Sequence, residues 1–376
     1  MKKIIAFLDK EYPPNHSFVD GMLALELPNQ NDISVNLVVS DNGSQKICRY
    51  NKAVCLPLLY PRKGFYRLLN FIKIYFLLKK LIQKNIDKEI ILFVRNDPIF
   101  LFACSFVKNK KIKLIFQSSF PHEKVSGNFL KRSIAKTIYK ISRSRVNSIL
   151  GVSPKGLKRL QDLMPEAQKA NFIPLLSDQQ TEINNFELNN KNGKIKFIYI
   201  GDHSYPRKLE IVLKAIVTSI EKGLLAEFKF IGGRIKDIER LSNIRGVEDL
   251  KKRKILRFIQ KIPRENLWSI FQESDVGLSL IPPDKQYIEA SPTKLTEYLR
   301  AGIAVLASNG VDLQEEFVKK SGGGILCNWS EKLISDALID ISKNKDSLIQ
   351  MKNKGYRYSI SHLSYKNYIN TFRDLM

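Results

Sequence analysis

Two successive series of short β-branched runs, each alternating with helical stretches, constrain the fold of this 376-residue chain more than any other feature. In the first half the runs are Ile4–Leu8, Ser34–Val39, Ile90–Val94, Lys113–Phe116 and Ser148–Val152, with helical patterns at Phe65–Lys84 and Asn128–Ser144. In the second half they are Lys196–Ile200, Phe228–Ile231, Ile255–Phe258, Val276–Leu280, Ala304–Ala307 and Gly324–Cys327. Helices there fit Pro206–Lys222, Arg264–Glu273, Pro292–Arg300 and Glu331–Lys343. Continuous apolar runs between helices suit parallel strands buried on both faces, so each half is expected to be a doubly wound, Rossmann-like α/β domain.

The texture changes between the halves. Residues 177–193 are polar, Asn-rich and without period, and they read as an interdomain linker. The expected boundaries are therefore 1–176 for the first domain and 194–355 for the second, each long enough for its own core. Residues 356–376, rich in Tyr and Lys, are expected to form a terminal helix that crosses back to the first domain. Two such domains are expected to face each other across a cleft at the C-terminal ends of their strands, where ligands bind in these folds.

Charge narrows the partners. Lys and Arg number 62 against 37 Asp and Glu, a net of +25. Such an excess suits a polyanionic partner: nucleic acid, an anionic membrane surface or phosphate-rich ligands. A lysine-rich solvated surface accounts for it equally. The cysteines, Cys48, Cys55, Cys104 and Cys327, form no Cys-x-x-Cys pair and have no His cluster near them, which argues against a zinc site or disulfide framework. The N-terminal apolar run breaks at Asp9, too soon for a signal peptide. Phe71–Ile82 contains Lys73, Lys79 and Lys80 and is too short to span a bilayer. The expected location is cytoplasmic, either soluble or peripheral on the inner membrane face.

The chemistry centres on Glu289-Ala-Ser-Pro-Thr-Lys-Leu-Thr-Glu297. Ser291 at the N-cap and Pro292 at the first helical position predict a helix start, with Gly302 as its stop. The first turn would offer unpaired N–H groups at Thr293, Lys294 and Leu295 and a positive dipole end, a natural seat for a diphosphate. Glu297 lies one turn further on the same face, placed to accept hydrogen bonds from a ribose diol. Glu289, in the loop before, could reach the hydroxyls of a donor sugar.

With its small-residue stop and following apolar strand, Ala301 to Ser308, this stretch resembles the Glu-x7-Glu signature of family-4 retaining glycosyltransferases of the GT-B fold. It is similar to those that build bacterial surface polysaccharide or lipopolysaccharide. The resemblance implies that Glu289 approaches the donor sugar, Glu297 binds ribose and the 292–295 turn holds the diphosphate. Phe197 to Ala215 is similar to the family's strand–Gly–loop–helix segment, with Gly201 at the turn. Arg207 stands at the family's Lys place, with Lys208 beside it, while Asp202 replaces the usual Arg. The phosphate role therefore falls on Arg207 and Lys208. Leu256 to Pro282 is similar to the base-binding region, so Gln260 and Ile262 would face the base. Asp275 reads as a strand-start residue.

In the first half, Gln117 takes the place where the family tends to have His, and His122 follows five residues on. His122 is a candidate for the reacting centre, His16 a weaker one. For this family the implied mechanism is front-face attack, in which the leaving phosphate takes the acceptor proton and cations stabilise the departing diphosphate. No Asp-x-Asp motif stands where a metal would be needed, so neither a metal nor a cofactor is expected. The expected partners are a nucleotide-sugar donor and a lipid-linked glycan acceptor.

From Lys124 to Arg159 there are ten Lys or Arg and no Asp or Glu. Leu130, Ile134, Ile138 and Ile141 recur at helical spacing among them, and Phe65–Lys84 is similar. Such helices suit either an anionic membrane or a core-facing stripe with solvated lysines. Two rivals remain: a nucleotide-sugar 2-epimerase of the same fold, and a basic nucleic-acid-binding protein. The latter would need aromatic platforms and groove-reading elements that the sequence lacks.

Overall fold

The computed structural model describes residues 1–41, 43, 46–61, 66–84, 88–107, 109, 111–125, 129–177, 182–183, 185–188 and 193–376. The chain divides into two compact units. The first comprises Met1–Asp178, Glu289–Ser291 and Tyr365–Met376; the second comprises Gln179–Ile288 and Pro292–Ser364.

The first unit is built on β1 (Lys2–Glu11), β2 (Ile33–Ser40), β3 (Cys48–Tyr50), β4 (Ala53–Leu59), β5 (Glu89–Arg95), β6 (Ile112–Gln117), β7 (Ser148–Gly151) and β8 (Lys169–Phe172). They form one eight-stranded sheet in the order β3-β4-β2-β1-β5-β6-β7-β8. All pairings are parallel except the β3–β4 hairpin at the edge. Ile4 to Leu8 have no exposed surface, as expected of a central strand buried on both faces. Strands β3, β4 and β8 escape the sequence reading. Pro57 interrupts the apolar run of β4, β3 has three residues, and β8 is an edge strand carrying Lys169 and Asn171.

The second unit contains β9 (Ile195–Ile200), β10 (Ala226–Gly233), β11 (Leu256–Gln260), β12 (Val276–Ser279), β13 (Ala304–Ser308) and β14 (Gly324–Cys327). The sheet order is β11-β10-β9-β12-β13-β14, parallel throughout. Strand order thus reverses beside β9 here and beside β1 in the first unit, the doubly wound pattern with its ligand-binding crevice at the switch point. Helix Leu209–Glu221 packs against helix Glu331–Lys343 over this sheet. Ser330 caps the latter by accepting from the Leu333 amide, and Ile334, Leu338 and Ile341 bury at i, i+4 and i+7. Each such fully buried side chain contributes about 1.5–3 kcal/mol.

Much of the expected linker, 177–193, lies outside the described residues. Of its described residues, Ser177 belongs to the first unit and the rest to the second. The Ile183 amide donates to Tyr356 Oη at 2.9 Å, Phe186 packs on the Tyr356 ring, and Lys352 Nζ donates to the Glu187 carbonyl at 2.6 Å. Apolar Ile183, Phe186 and Leu188, scattered among Asn and Glu, gave no period to read. The C-terminus also departs from the single terminal helix expected over 356–376. Helix Lys345–His362 stays in the second unit, a short turn at Tyr365–Tyr368 follows, and helix Ile369–Asp374 belongs to the first.

The expected helix starts at Phe65 and Asn128 lie outside the described residues; the helices run Tyr66–Lys84 and Phe129–Ser142. Among the described residues no helix is long and apolar enough to cross a membrane.

Candidate functional site

At the switch point of the second unit, β9 ends at Ile200 and the chain turns through Gly201 at φ +141°, a region that favours glycine. Gly232, at φ +113°, closes on this turn: a Cβ there would stand 2.6 Å from the Gly201 carbonyl oxygen. A Cβ on Gly233 would stand 2.7 Å from the His203 ring. His203 is fully buried, with Nδ1 2.8 Å from the Gly201 carbonyl, and burial holds its pKa below the usual value. The imidazole therefore acts here as a neutral brace for the loop. Arg240 adds a second brace, donating to the His203 carbonyl at 2.6 Å and stacking on Tyr205.

The helix that answers this loop is Thr293–Arg300. The expected Ser291 cap is corrected. Pro292 occupies the cap position at φ −81°, ψ 85°, outside the helical region, and no side chain caps the helix. The Ser291 hydroxyl instead accepts from the Leu175 amide at 2.7 Å, within the first unit. The Leu295 amide is also not an open donor, since it bonds the Pro292 carbonyl at 3.0 Å. The helix start that the sequence offers as three free amides is thus smaller. Thr293 and Lys294 remain in its first turn.

Lys294 contributes its side chain instead. Its Nζ is covered from solvent and lacks a hydrogen-bond partner among the described residues, and it stands 4.0 Å from the centre of the Tyr199 ring. A Cβ on Gly201 would lie 3.8 Å from it. Burial, then the nearby Arg207 charge, push this ammonium well below its ordinary pKa, while Glu297 pulls the other way. Tyr298, under the same turn, is fully buried, and its hydroxyl accepts from the Ile200 amide at 2.9 Å. This hydrogen bond ties the helix to the end of β9.

The remaining predicted residues gather in the same unit. Arg207 ends a 3₁₀ turn, Tyr205–Arg207, and its guanidinium lies 4.7 Å from the centre of the Tyr287 ring. Lys208 takes left-handed backbone geometry, φ 48°, and ion-pairs with Asp284 at 2.9 Å. The helix therefore begins at Leu209, not Pro206. Glu297 accepts from Arg264 at 3.2 Å. Arg264 sits just past β11, four residues beyond exposed Gln260 and two beyond half-buried Ile262. Asp275 is fully buried, accepts from the Lys196 amide at 3.0 Å and faces Lys352 at 3.6 Å, as suits a strand-start residue.

Glu289 belongs to the first unit. Its carboxylate accepts from Arg159 at 2.6 Å and Lys124 at 3.0 Å, and its carbonyl accepts from Ser153 at 2.7 Å. Arg159, 5% exposed, also pairs with buried Glu123 at 3.2 Å and donates to Ser118 Oγ at 3.1 Å. Sequence reasoning missed this network, because Glu123 and Arg159 lie 36 residues apart on unrelated patterns. His122 stands beside Glu123 with its ring against Phe120. His16 Nε2 meets Arg95 Nη2 at 2.7 Å, and Arg95 also pairs with Asp9. Gln117 is fully buried, and neither of its side-chain amide atoms has a hydrogen-bond partner among the described residues.

In the second unit, then, Arg207, Lys208 and Lys294 are cations around a glycine turn at a sheet switch point, with an acid one helical turn further on. Residues 180–358, nearly the extent of that unit, match the family of glycosyl transferases group 1. This stretch is a glycosyltransferase domain. Solved structures show which architecture holds it. A sucrose-phosphate synthase from Thermosynechococcus elongatus is 13% identical with a TM-score of 0.70, covering 100% of this chain and 98% of that one. A trehalose-6-phosphate structure from E. coli bound with UDP-2-fluoro glucose is 11% identical at TM-score 0.69, covering 99% and 98%. A mutant S. aureus TarM in complex with fondaparinux, α-GlcNAc-glycerol and UDP is 12% identical at TM-score 0.60, covering 81% and 58%. No curated protein matches the sequence. The chain has the GT-B fold, with one mixed and one parallel sheet. Its structural likeness runs to the sucrose- and trehalose-phosphate group rather than specifically to the surface-polysaccharide enzymes that the sequence suggests.

Proposed function

We propose that this glycosyltransferase moves a sugar, with retention, from a nucleoside diphosphate donor to a lipid-linked glycan of a bacterial surface polymer. The observation that carries the donor half is the covered, unpartnered Lys294 ammonium beneath the Gly201 turn. A buried cation with no anion hydrogen-bonded to it is costly, and a diphosphate would supply that contact. Arg207 and Lys208 would complete its neutralisation as the bond to the sugar breaks, an electrostatic contribution made by the protein's own cations. Glu297, one turn on and oriented by Arg264, would take the ribose, with the base near Gln260 and Ile262. Two of the similar structures contain UDP or a UDP-sugar analogue, which favours uridine as the base. Glu289 is assigned to the donor sugar and His122 to the acceptor side.

The lipid-linked acceptor rests on the basic, apolar helices of the first unit. A thermal-shift screen of nucleoside diphosphates and their sugars tests the donor assignment, because a ligand that binds only the folded state raises the melting temperature by mass action. A UDP-sugar should give the largest shift. Transfer assays with the best donor, with and without a lipid-linked acceptor, test the rest. A donor whose sugar is epimerised without acceptor would identify an epimerase instead.

A further inference from the structure

The first unit carries one helical layer with an unusual surface. Helix Pro98–Ser105 packs between helix Tyr66–Lys84 and helix Phe129–Ser142, and all three contribute to the same core. None of the three contains Asp or Glu. On the last helix Ala135, Tyr139 and Ser142 face inward. The spaced residues Leu130, Ile134 and Ile141 do not: they are 63%, 50% and 54% exposed. At 100° per residue these three fall within about 40° of one another, roughly 100–160° around the helix from the buried stripe. The helix thus has two apolar faces, and only one is covered. Phe129 is 78% exposed at its start, and Lys136 and Lys140 project nearby.

Helix Tyr66–Lys84 repeats the pattern. Tyr66, Ile72 and Phe76 are exposed, and a groove of about 420 Å³ runs beside them, lined by Leu58, Tyr60, Leu69 and Leu77 and rimmed by Lys73 and Lys80. Phe106 is exposed at the end of the middle helix.

We propose that this layer is a docking face for an anionic lipid bilayer, with Leu130, Ile134, Ile141, Ile72 and Phe76 entering the interface and Lys73, Lys80, Lys136 and Lys140 meeting phosphate headgroups. Charge complementarity selects the occupant: three helices that carry cations and no acids match anionic lipid, although Asp41 lies near Lys73, and exposed aliphatic chains gain from an acyl boundary. A nucleic acid would match the charge and leave the aliphatic chains in water. The face lies wholly in the first unit and does not depend on the proposed donor site.

Vesicle co-sedimentation of the full chain tests it. Wild type should sediment with vesicles of phosphatidylcholine mixed with phosphatidylglycerol and stay in solution with phosphatidylcholine alone. The triple variant Leu130→Ser, Ile134→Ser, Ile141→Ser and the pair Lys136→Glu, Lys140→Glu should each lower partitioning about tenfold or more. Both should keep wild-type UDP affinity by calorimetry, so a failed donor assignment would leave this result readable. Three outcomes would overturn the proposal: wild type remaining in solution with mixed vesicles, variants that sediment like wild type, or a triple variant that turns a dimer into a monomer in ultracentrifugation without changing sedimentation with lipid.

Discussion

Lys294 Nζ stands 4.0 Å from the centre of the Tyr199 ring, covered from water, with no hydrogen-bond acceptor among the described residues. The ring face offsets part of the lost hydration of the ammonium, a desolvated cation–π contact being worth about 2 kcal/mol or more. The rest of that cost appears as the depressed pKa of the group, which makes the folded domain hold its proton less tightly.

Lys294→Met therefore has opposite effects on folding and binding. Removing an unpartnered buried charge should leave the melting temperature unchanged or raise it. Losing a charge-assisted contact, worth about 1.5–3 kcal/mol, should weaken UDP binding roughly tenfold to a hundredfold. Calorimetry and thermal melts on one preparation separate the two effects. Full affinity in the variant would remove Lys294 from the donor site.

The same residue sets a pH dependence. Its folded-state pKa lies well below the ordinary 10.5, so between those values the unfolded chain holds a proton that the folded chain does not. Its contribution to stability therefore rises with pH across that window. A bound diphosphate favours the charged ammonium, so binding takes up a proton there and affinity falls as pH rises. Binding enthalpies of a UDP-sugar in two buffers of different ionisation enthalpy should reveal the uptake, and Lys294→Met should abolish it.

Glu297→Gln removes a charge that Arg264 holds at 3.2 Å. Glu297 is partly exposed, so melting should shift by little. Transfer should be lost and nucleotide affinity should drop about tenfold or more if the carboxylate grips a diol. An unchanged nucleotide dissociation constant would refute the ribose role.

Arg159→Met tests the first unit's network. It strands Glu123, 3% exposed, and Glu289, 11% exposed, with only half-exposed Lys124 to serve the second. Breaking a buried pair of this kind costs about 3–5 kcal/mol, visible as a lower urea midpoint. Pairing it with Glu123→Gln should recover part of the loss.

Gly277→Ala tests the seat of the Glu297 helix. A Cβ there would stand 2.3 Å from the buried Tyr298 ring, whose hydroxyl holds the Ile200 amide. Overpacking of about 1–3 kcal/mol should appear as a lower melting temperature, with nucleotide binding weakened as the helix shifts.

Much of the glycosyltransferase domain was legible in the sequence because it rests on local signals. The apolar runs of β9, β10 and β12 have parallel-strand character, and Glu331–Lys343 shows its cap and period in its own residues. The Ser-Pro helix start was legible only in part. Whether a serine caps its own helix depends on what else reaches its hydroxyl, and here the Leu175 amide does. The edge strands β3 and β8 are too short and polar to announce themselves.

By itself the sequence determined two α/β halves, the cations and acids of the donor stretch, and the basic helices, since all of these follow from spacing along the chain. Only the tertiary structure decided which of those groups meet. It placed Lys294 Nζ over Tyr199, gave Glu289 to Arg159, and left Leu130, Ile134 and Ile141 in solvent instead of the core. Periodicity can mark an apolar stripe but cannot say which stripe is covered. Nor can it reveal that a lysine is buried, because burial is set by residues distant in sequence that close around it.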